Sequence, residues 1–383
     1  MNMKLSFNFF WGAVIILLLF FVKFNHFFDV RYSKDMLLMA SCFFSVMFFG
    51  IGRVKNLSVI LGFSFLSVFS FVNQYNQFSP NVFLQWMLFN IGMIICCQMI
   101  TRFSEDSDRF MHNAFSVVCL VSSLWVIFDL HVVNIFNYIV YIMTNGQAKI
   151  NDAHGTHLIS KNMNDIWGPL ANISLSACVI GITFPAILRK KTLWMIPFAL
   201  YGMWICDSSM AWFSAFCGAV TILSLRCLSK KSIIAVYSAL SVISLTVLFF
   251  CNKGGNFFFS NRRLDVWPKM LEWKTDIGSI LFGNGLGFLA DRFNTENGVP
   301  APIFNQAHNE IIDAYIAFGA LGLFIIGILL YIALQRILDK KCNIITAGLF
   351  IAVCSNALGN FPFHLSLMAI VGIVCYALIM REA

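Results

Sequence analysis

The sequence predicts an all-α polytopic membrane protein that folds as a single integral membrane domain over residues 1–383. Of its 383 residues, 59% are hydrophobic and only 11% are charged, whereas roughly a quarter of the residues of a soluble globular domain are charged. Long apolar runs recur along the whole chain, each close to the 20 or so residues that cross a bilayer. Lys and Arg residues cluster between the runs, as expected for signals that orient membrane helices.

The apolar runs define about twelve transmembrane helices. The first run is followed by Lys23 and Phe24 and not by small residues suited to signal-peptide cleavage, so we expect a retained span. The predicted spans are 7–24, 35–52, 57–73, 82–101, 111–130, 166–187, 191–206, 209–228, 232–251, 309–335, 342–359 and 361–380.

The distribution of positive charge sets the expected orientation. If the N-terminus is cytoplasmic, fifteen Lys and Arg residues fall on the inside and five, among them Lys34, fall in short outside loops. The remaining six lie in the long polar loop 252–308, which precedes the tenth span. Both termini are therefore expected in the cytoplasm, and this large loop is expected outside, which in a Gram-negative bacterium is the periplasm.

Cysteine and charge patterns exclude several functions. Most of the twelve Cys residues lie within apolar runs and none forms a CxxC pair, so they are expected to be small core residues. His154 and His157 have no supporting Cys or carboxylate set, so no metal site is predicted. The net charge of +8 comes from the clusters between spans and does not indicate nucleic-acid binding. Within these clusters, Asp108 is expected in a solvated cytoplasmic loop.

The loop 252–308 carries the residues best suited to an anionic ligand. Arg262 and Arg263 precede a short amphipathic stretch that contains Trp267. A guanidinium group matches phosphate oxygens bidentately and keeps its charge, so phosphate binding is one interpretation. An arginine anchored at the membrane interface is the other.

Two further motifs follow in the chain. Gly283 and Gly285 lie in a glycine run that predicts either a tight structural turn or a close approach of backbone to a ligand. His308 precedes Asn309 and Glu310 at the start of a long apolar helix, whose free N–H groups favour an anion. A neutral His308 could accept a proton from a hydroxyl group.

The remaining polar residues leave alternatives open. Glu310 and Asp313 lie in the first turns of the tenth span, where they either cap the helix or take part in the site. Gly319 and Gly322, further along, predict close helix packing.

Lys161 lies in an outside loop after the fifth span, and this loop is either solvated or contributes to the site. Asn356, Asn360 and His364 border the last outside turn, where an acceptor contact is possible.

Taken in order, these motifs resemble those of the bacterial O-antigen ligases and the related O-antigen polymerases. The matching stretch runs from Arg263 to Gly322 and reads Arg-Leu-Asp-Val-Trp, Phe-Gly-Asn-Gly-Leu-Gly, Ala-His-Asn-Glu-Ile-Ile-Asp-Ala and Phe-Gly-Ala-Leu-Gly-Leu. Each motif is weak alone, but their order, their spacing and the predicted topology are together fairly specific. Many members also carry an arginine at the start of an earlier span, where this chain has Met210.

The resemblance implies a membrane glycosyltransferase of the GT-C type in the bacterial inner membrane. Such an enzyme takes a glycan from undecaprenyl pyrophosphate at the periplasmic face and needs neither a metal ion nor a nucleotide sugar. A ligase passes the glycan to the lipid A–core of lipopolysaccharide, and a polymerase passes it to a second lipid-linked glycan. Arg263 would hold the pyrophosphate, and His308 would lie beside the acceptor hydroxyl or the leaving group.

These inferences give a set of candidate site residues. The expected catalytic residues are His308, Arg263 and Glu310, and the expected substrate-binding residues are Arg262, Asn309, Asp313, Gly283, Gly285 and Lys161. A lipid or solute transporter is the competing class of protein. A transporter would be expected to place charges near the bilayer midplane, whereas here they lie at the ends of the spans.

Overall fold

The computed structural model describes the helical body of the chain and some of its connections. The described residues are 3–20, 30–51, 61–62, 64–68, 70, 80–133, 139, 142–143, 149–152, 155–158, 172–235, 238, 267, 270–272, 276–286, 288, 309–360 and 362–381. The elements among them are α1 (Met3–Phe20), α2 (Val30–Phe49), α3 (Pro80–Arg102), α4 (Glu105–Phe128), β1 (Lys149–Asp152), β2 (Gly155–Leu158), α5 (Ile173–Thr183), α6 (Ile196–Ile205), α7 (Ser209–Cys227), α8 (Ile277–Phe282), α9 (Glu310–Leu338), α10 (Ile344–Ala357) and α11 (Ser366–Met380).

The prediction of a helical protein is confirmed, and its apolar helices support the prediction of a membrane protein. Among the described residues, three helices are long and apolar enough to cross a membrane, namely Glu105–Val132, Ser209–Cys227 and Glu310–Leu338. Shorter apolar helices, including α10 and α11, accompany them. Much of the predicted spans 57–73 and 232–251, and most of the loop 252–308, lies outside the described residues.

One hairpin departs from the all-α prediction. Strands β1 and β2 pair antiparallel, with Asp152 opposite Gly155, in a segment predicted to be a loop. Only two residues separate the strands, which is the commonest connection length in hairpins. Each strand has four residues, too few for a clear alternation of polar and apolar residues in the sequence.

The last helix lies at the centre of the fold. All but one residue of α11 are buried, as expected for a helix that is apolar on every side. Next to it, α7 and α10 cross in backbone contact, because a Cβ on Gly218 would lie 2.8 Å from the carbonyl oxygen of Gly348. Small residues at membrane helix crossings permit this close approach.

A polar network closes one end of the bundle, which we call the basic end because Arg102, Arg189, Arg336 and Arg381 lie there. Arg381 forms an ion pair with Asp108 (Nη1–Oδ2, 2.5 Å), and Thr346 donates a hydrogen bond to the other carboxylate oxygen (2.7 Å). Asp108 is only 5% exposed. The prediction that this residue lies in a solvated loop is therefore wrong, since the C-terminal arginine folds back onto it.

We expect Arg381→Met to lower the free energy of unfolding by about 3–5 kcal/mol, because the change leaves the Asp108 carboxylate buried without its countercharge. The matched control is Lys341→Met, which removes an ion pair with Asp339 between two much more exposed side chains. Exposed pairs contribute about 0–1 kcal/mol. Unfolding of the purified protein in mixed micelles with a denaturing detergent measures both values, and equal values would contradict the proposed importance of the Arg381–Asp108 pair.

The opposite end of the bundle carries different contacts. Lys34 is buried, and its ammonium group donates hydrogen bonds to the carbonyls of Leu18 and Leu19, in the last turn of α1. A cation placed there stabilises the negative end of the helix dipole. Lys34 is therefore a helix cap and not a solvated loop charge. Nearby, Ser366 at the start of α11 donates a hydrogen bond to Asp35.

Candidate functional site

The start of α9 is fixed by its own first residues. Asn309 has extended backbone angles, and its Oδ1 accepts hydrogen bonds from the N–H groups of Ile311 (3.0 Å) and Ile312 (3.2 Å). Asn is among the preferred residues at this position because its short side chain reaches these N–H groups. Glu310 and Asp313 lie in the first turn as predicted. The side-chain cap, however, comes from Asn309.

Two hydrogen bonds join this helix start to the connection between α10 and α11, residues 358–365. The Nδ2 group of Asn309 donates to the carbonyl oxygen of Leu358 (2.9 Å), and the carboxylate of Glu310 accepts from the N–H of Phe363 (2.7 Å). Glu310 thus links two elements that are 53 residues apart in sequence. Its carboxylate fixes the position of the 358–365 connection relative to α9.

The 358–365 connection also contacts two earlier helices. A Cβ on Gly359 would lie 2.6 Å from the sulfur of Met210, so the Met210 side chain lies directly against Gly359. Asn360 donates a hydrogen bond to the Cys178 sulfur on α5 (3.0 Å). Met210 therefore lies at the same connection as Glu310.

A buried amide lies just before this connection. Asn356 is fully buried and donates a hydrogen bond to the Ser214 hydroxyl on α7 (3.0 Å), which in turn donates to the carbonyl oxygen of Met210 (2.6 Å). Asn356 was singled out in the sequence, whereas Ser214 and Cys178 were not. Both of these residues lie in apolar runs, and nothing in the sequence distinguishes them from ordinary small core residues.

Asp313 lies one turn into α9 and is 7% exposed. Its N–H donates to the carbonyl oxygen of Asn309 (2.9 Å), which closes the first helical turn. Its position next to Asn309 and Glu310 is compatible with the predicted substrate contact, which stays a prediction.

The glycine run forms a turn that docks on the side of α9. Gly283 and Gly285 have positive φ angles of 80° and 93°, a region that glycine enters without steric cost. The N–H of Asn284 donates to the carbonyl oxygen of Ile316 (2.7 Å), and the N–H of Gly285 donates to that of Ala317 (2.9 Å). Of the two alternatives, the structure shows the tight turn, and the N–H groups of Asn284 and Gly285 are engaged by the protein itself. Substrate binding by Gly283 and Gly285 stays a prediction.

Opposite this turn, α9 is interrupted. Gly319 has φ 67° and ψ −168°, which are not helical angles. Gly319 allows this break and also the predicted close packing, because a Cβ there would lie 2.4 Å from the backbone carbonyl of Leu281 on α8. Gly322 also lies in close packing, since a Cβ there would be 3.2 Å from the Leu66 side chain.

The described structure thus brings part of the predicted site together. Asn309, Glu310 and Asp313 share the start of α9, and the turn of Gly283 and Gly285 docks two turns further along. Four predicted site residues lie outside the described residues, and they are Lys161, Arg262, Arg263 and His308.

Comparisons with other proteins leave the family open. No protein-family model matches the chain, and no curated protein matches it with significant similarity. Within the described part of the chain, no three His, Cys, Asp or Glu side chains are grouped so that they could hold a metal ion. The start of α9 combines the carboxylates of Glu310 and Asp313 with a helix N-terminus whose first N–H groups are capped by Asn309.

Two substitutions of Glu310 separate a structural role from a catalytic one. Glu310→Gln keeps an oxygen that can accept the hydrogen bond from Phe363, whereas Glu310→Ala leaves that N–H without its acceptor. If the carboxylate acts through its charge in the reaction, we expect both variants to lose about 10²-fold or more in transfer rate. Near-normal transfer by Glu310→Gln beside a defective Glu310→Ala would show that Glu310 only holds the 358–365 connection.

Proposed function

We propose that the chain is a membrane glycosyltransferase of the O-antigen ligase type. It would move a glycan from undecaprenyl pyrophosphate to the lipid A–core of lipopolysaccharide. The observation that carries this proposal is the convergence of the motif residues. The glycine turn packs on the first part of α9, whose Asn309 and Glu310 bind the connection that also contacts Met210. Segments that share one reaction are expected to meet in this way, although they are far apart in sequence.

The chemistry of the reaction suits these residue types. When the bond between a sugar and a pyrophosphate breaks, negative charge develops on the departing diphosphate. Fixed guanidinium groups and the N–H groups of a helix start stabilise such charge, and this is usually the largest catalytic term. Arg263 would bind the diphosphate, with Arg262 and Lys161 as further cations. His308, which directly precedes the Asn309 cap, would take the proton of the attacking hydroxyl.

The proposed topology has about twelve spans, with both termini in the cytoplasm and the site in the periplasm. The contacts of the described residues support this topology, because helix ends that are predicted on the same side of the membrane contact each other. Arg381 pairs with Asp108 at the end assigned to the cytoplasm, and Asn309 reaches Leu358 at the end assigned to the periplasm. The excess of Lys and Arg at the basic end agrees with the inside of a bacterial membrane.

A reporter enzyme that is active only in the periplasm tests this orientation. We expect a fusion after Gly298, in the loop 252–308, to be active, and a fusion after Lys340, between α9 and α10, to be inactive. Expression of both fusions is checked by immunoblotting. An active Lys340 fusion together with an inactive Gly298 fusion would invert the proposed topology.

An O-antigen polymerase is the second candidate, and one observation favours it. Met210 occupies the place of the arginine that many members carry, and its side chain packs on Gly359 beside the Glu310 contact. An uncharged residue there removes one cation from the region where a ligase-type donor site is expected. The acceptor would then be a second lipid-linked glycan in place of the lipid A–core.

The break in α9 gives no comparable support for a transporter. In many transporters, broken helices expose backbone groups that bind the transported ion or solute. In this chain, the carbonyls of Ile316 and Ala317 next to the break accept hydrogen bonds from Asn284 and Gly285. These groups are therefore used within the protein, as expected when the break serves to shape a site.

Deletion of the gene in its host distinguishes the candidate functions. Loss of a ligase leaves long glycans on the lipid carrier and none on the lipid A–core, whereas loss of a polymerase leaves single repeats on the core. Electrophoresis of lipopolysaccharide and analysis of carrier-linked glycans detect both outcomes. Unchanged lipopolysaccharide together with unchanged carrier-linked glycans would contradict both candidates.

A further inference from the structure

The break at Gly319 divides α9 into two parts with different surroundings. The first part, residues 310–318, has nine residues and is about 14 Å long, and it carries Glu310 and Asp313. In an uninterrupted helix, the carbonyls of Ile316 and Ala317 would accept hydrogen bonds from the N–H groups four residues later. Here the N–H groups of Asn284 and Gly285 bind them instead. The glycine turn therefore acts as a C-terminal cap supplied from another part of the chain.

The fit between the turn and the helix depends on the absence of side chains on both sides. A Cβ on Gly319 would lie 2.4 Å from the backbone carbonyl of Leu281 and 2.5 Å from the nitrogen of Gly283. Conversely, a Cβ on Gly283 would lie 2.3 Å from the carbonyl oxygen of Ala317. Both glycines also have positive φ angles. Any larger residue at Gly319 or Gly283 must move the turn away from the helix.

The turn is itself held by other elements, so it can fix the helix. On one side it follows α8, which is stabilised by its N-cap Asp276, whose side chain accepts a hydrogen bond from the N–H of Ser279 (2.9 Å). On the other side, the N–H of Leu286 donates to the hydroxyl of the buried Ser70 (3.0 Å). Because the turn follows a capped helix and is tied to Ser70, its two hydrogen bonds to α9 constrain the direction of residues 310–318.

We propose that the turn at Gly283–Gly285 and the break at Gly319 form a positioning clamp for the start of α9. The clamp sets the direction of residues 310–318 and thereby holds Asn309 and Glu310 against the 358–365 connection. Gly319, Gly283 and Ser70 are positioning residues in this scheme, since they act on the reaction through Asn309 and Glu310. This role in catalysis rests on the proposed glycosyltransferase function, whereas the clamp itself rests on the geometry alone.

A distance measurement tests the clamp without any assay of activity. Spin labels on cysteines introduced at Ile311 and Leu358, both of which are exposed, report the separation of the α9 start from the connection. Cys227, which is exposed, and Cys251 are replaced by serine in the background. The matched variants are Gly319→Ala and Gly327→Ala, because Gly327 lies on the same helix and a Cβ there meets nothing within 4 Å.

We expect a shifted or broadened distance distribution in Gly319→Ala and an unchanged one in Gly327→Ala. Ser70→Ala removes the acceptor for the N–H of Leu286 and adds no atoms, so it tests the clamp without a steric clash. We expect it to broaden the distribution. If Gly319→Ala fails to fold, the distance distribution of Ser70→Ala decides whether the clamp proposal holds. Distributions that stay unchanged in every folded clamp variant would overturn the proposal.

The transfer rate adds the catalytic readout. A misplacement of about 1 Å can cost about 10²-fold in rate, so we expect Gly319→Ala to lower kcat by about that factor while KM for the lipid-linked donor changes little. If Gly319→Ala shifts the distance distribution but neither the wild-type protein nor any variant shows transfer, the clamp proposal stands and the glycosyltransferase proposal is rejected. Normal transfer by Gly319→Ala with an unchanged distribution would reject the clamp alone.

Discussion

Replacing His308 by alanine is expected to reduce glycan transfer by about 10²–10⁴-fold, the range in which a general base contributes to a proton-transfer step. The acceptor hydroxyl is a poor nucleophile until its proton is removed, and an imidazole group is the side chain best suited to accept that proton near neutral pH. His308 is adjacent in sequence to the Asn309 cap, so its backbone is attached directly to the fixed start of α9. The measurement is transfer of labelled glycan by membranes that contain equal amounts of each protein.

The matched control is His131→Ala. His131 lies just after α4 and forms a hydrogen bond with Tyr201 on α6 (2.7 Å). This bond involves neither α9 nor the 358–365 connection. We expect this variant to retain most of the transfer activity. Equal activity of the His308 and His131 variants would exclude His308 from the reaction.

The second large effect is expected at Arg263. Removal of one group that stabilises developing negative charge costs about 10²–10³-fold in rate. We therefore expect Arg263→Ala to lose at least this much transfer. Arg263→Lys keeps the charge but lacks the planar pair of donors that matches two phosphate oxygens, so we expect an intermediate loss.

Arg226→Ala serves as the control for Arg263. Arg226 is an exposed residue in the last turn of α7, which is expected at the cytoplasmic face. The transfer assay is repeated at several donor concentrations, because loss of diphosphate binding also raises KM. Undiminished transfer by Arg263→Ala would remove this residue from the donor site.

Much of the helical framework could be predicted from the sequence. Apolar runs of nearly constant length gave the positions of α3, α7 and α9 to within a few residues, because the bilayer imposes the length of each span. The turn at Gly283 and Gly285 could be predicted because few other residues enter positive φ without strain. The helix start at Asn309 follows a polar segment and precedes a long apolar run, which is a strong local signal.

Contacts between distant segments could not be predicted in the same way. Nothing near Asp108 indicates that Arg381, 273 residues later, folds back to pair with it. The contact between Glu310 and Phe363 uses a backbone N–H group, which every residue except proline carries. The sequence predicts close packing at Gly319, but a single glycine in a helical sequence does not reveal that the helix breaks there.

Transfer by the purified protein tests the central claim most directly. The protein is reconstituted in vesicles with an undecaprenyl pyrophosphate-linked glycan carrying a radioactive sugar, and with lipid A–core as acceptor, in the presence of a metal chelator and without any nucleotide sugar. We predict that the labelled glycan moves to the lipid A–core with wild-type protein and not with His308→Ala. The assay is repeated with a second lipid-linked glycan as acceptor. If the label stays on the carrier with wild-type protein and either acceptor, the proposed glycosyltransferase activity is contradicted.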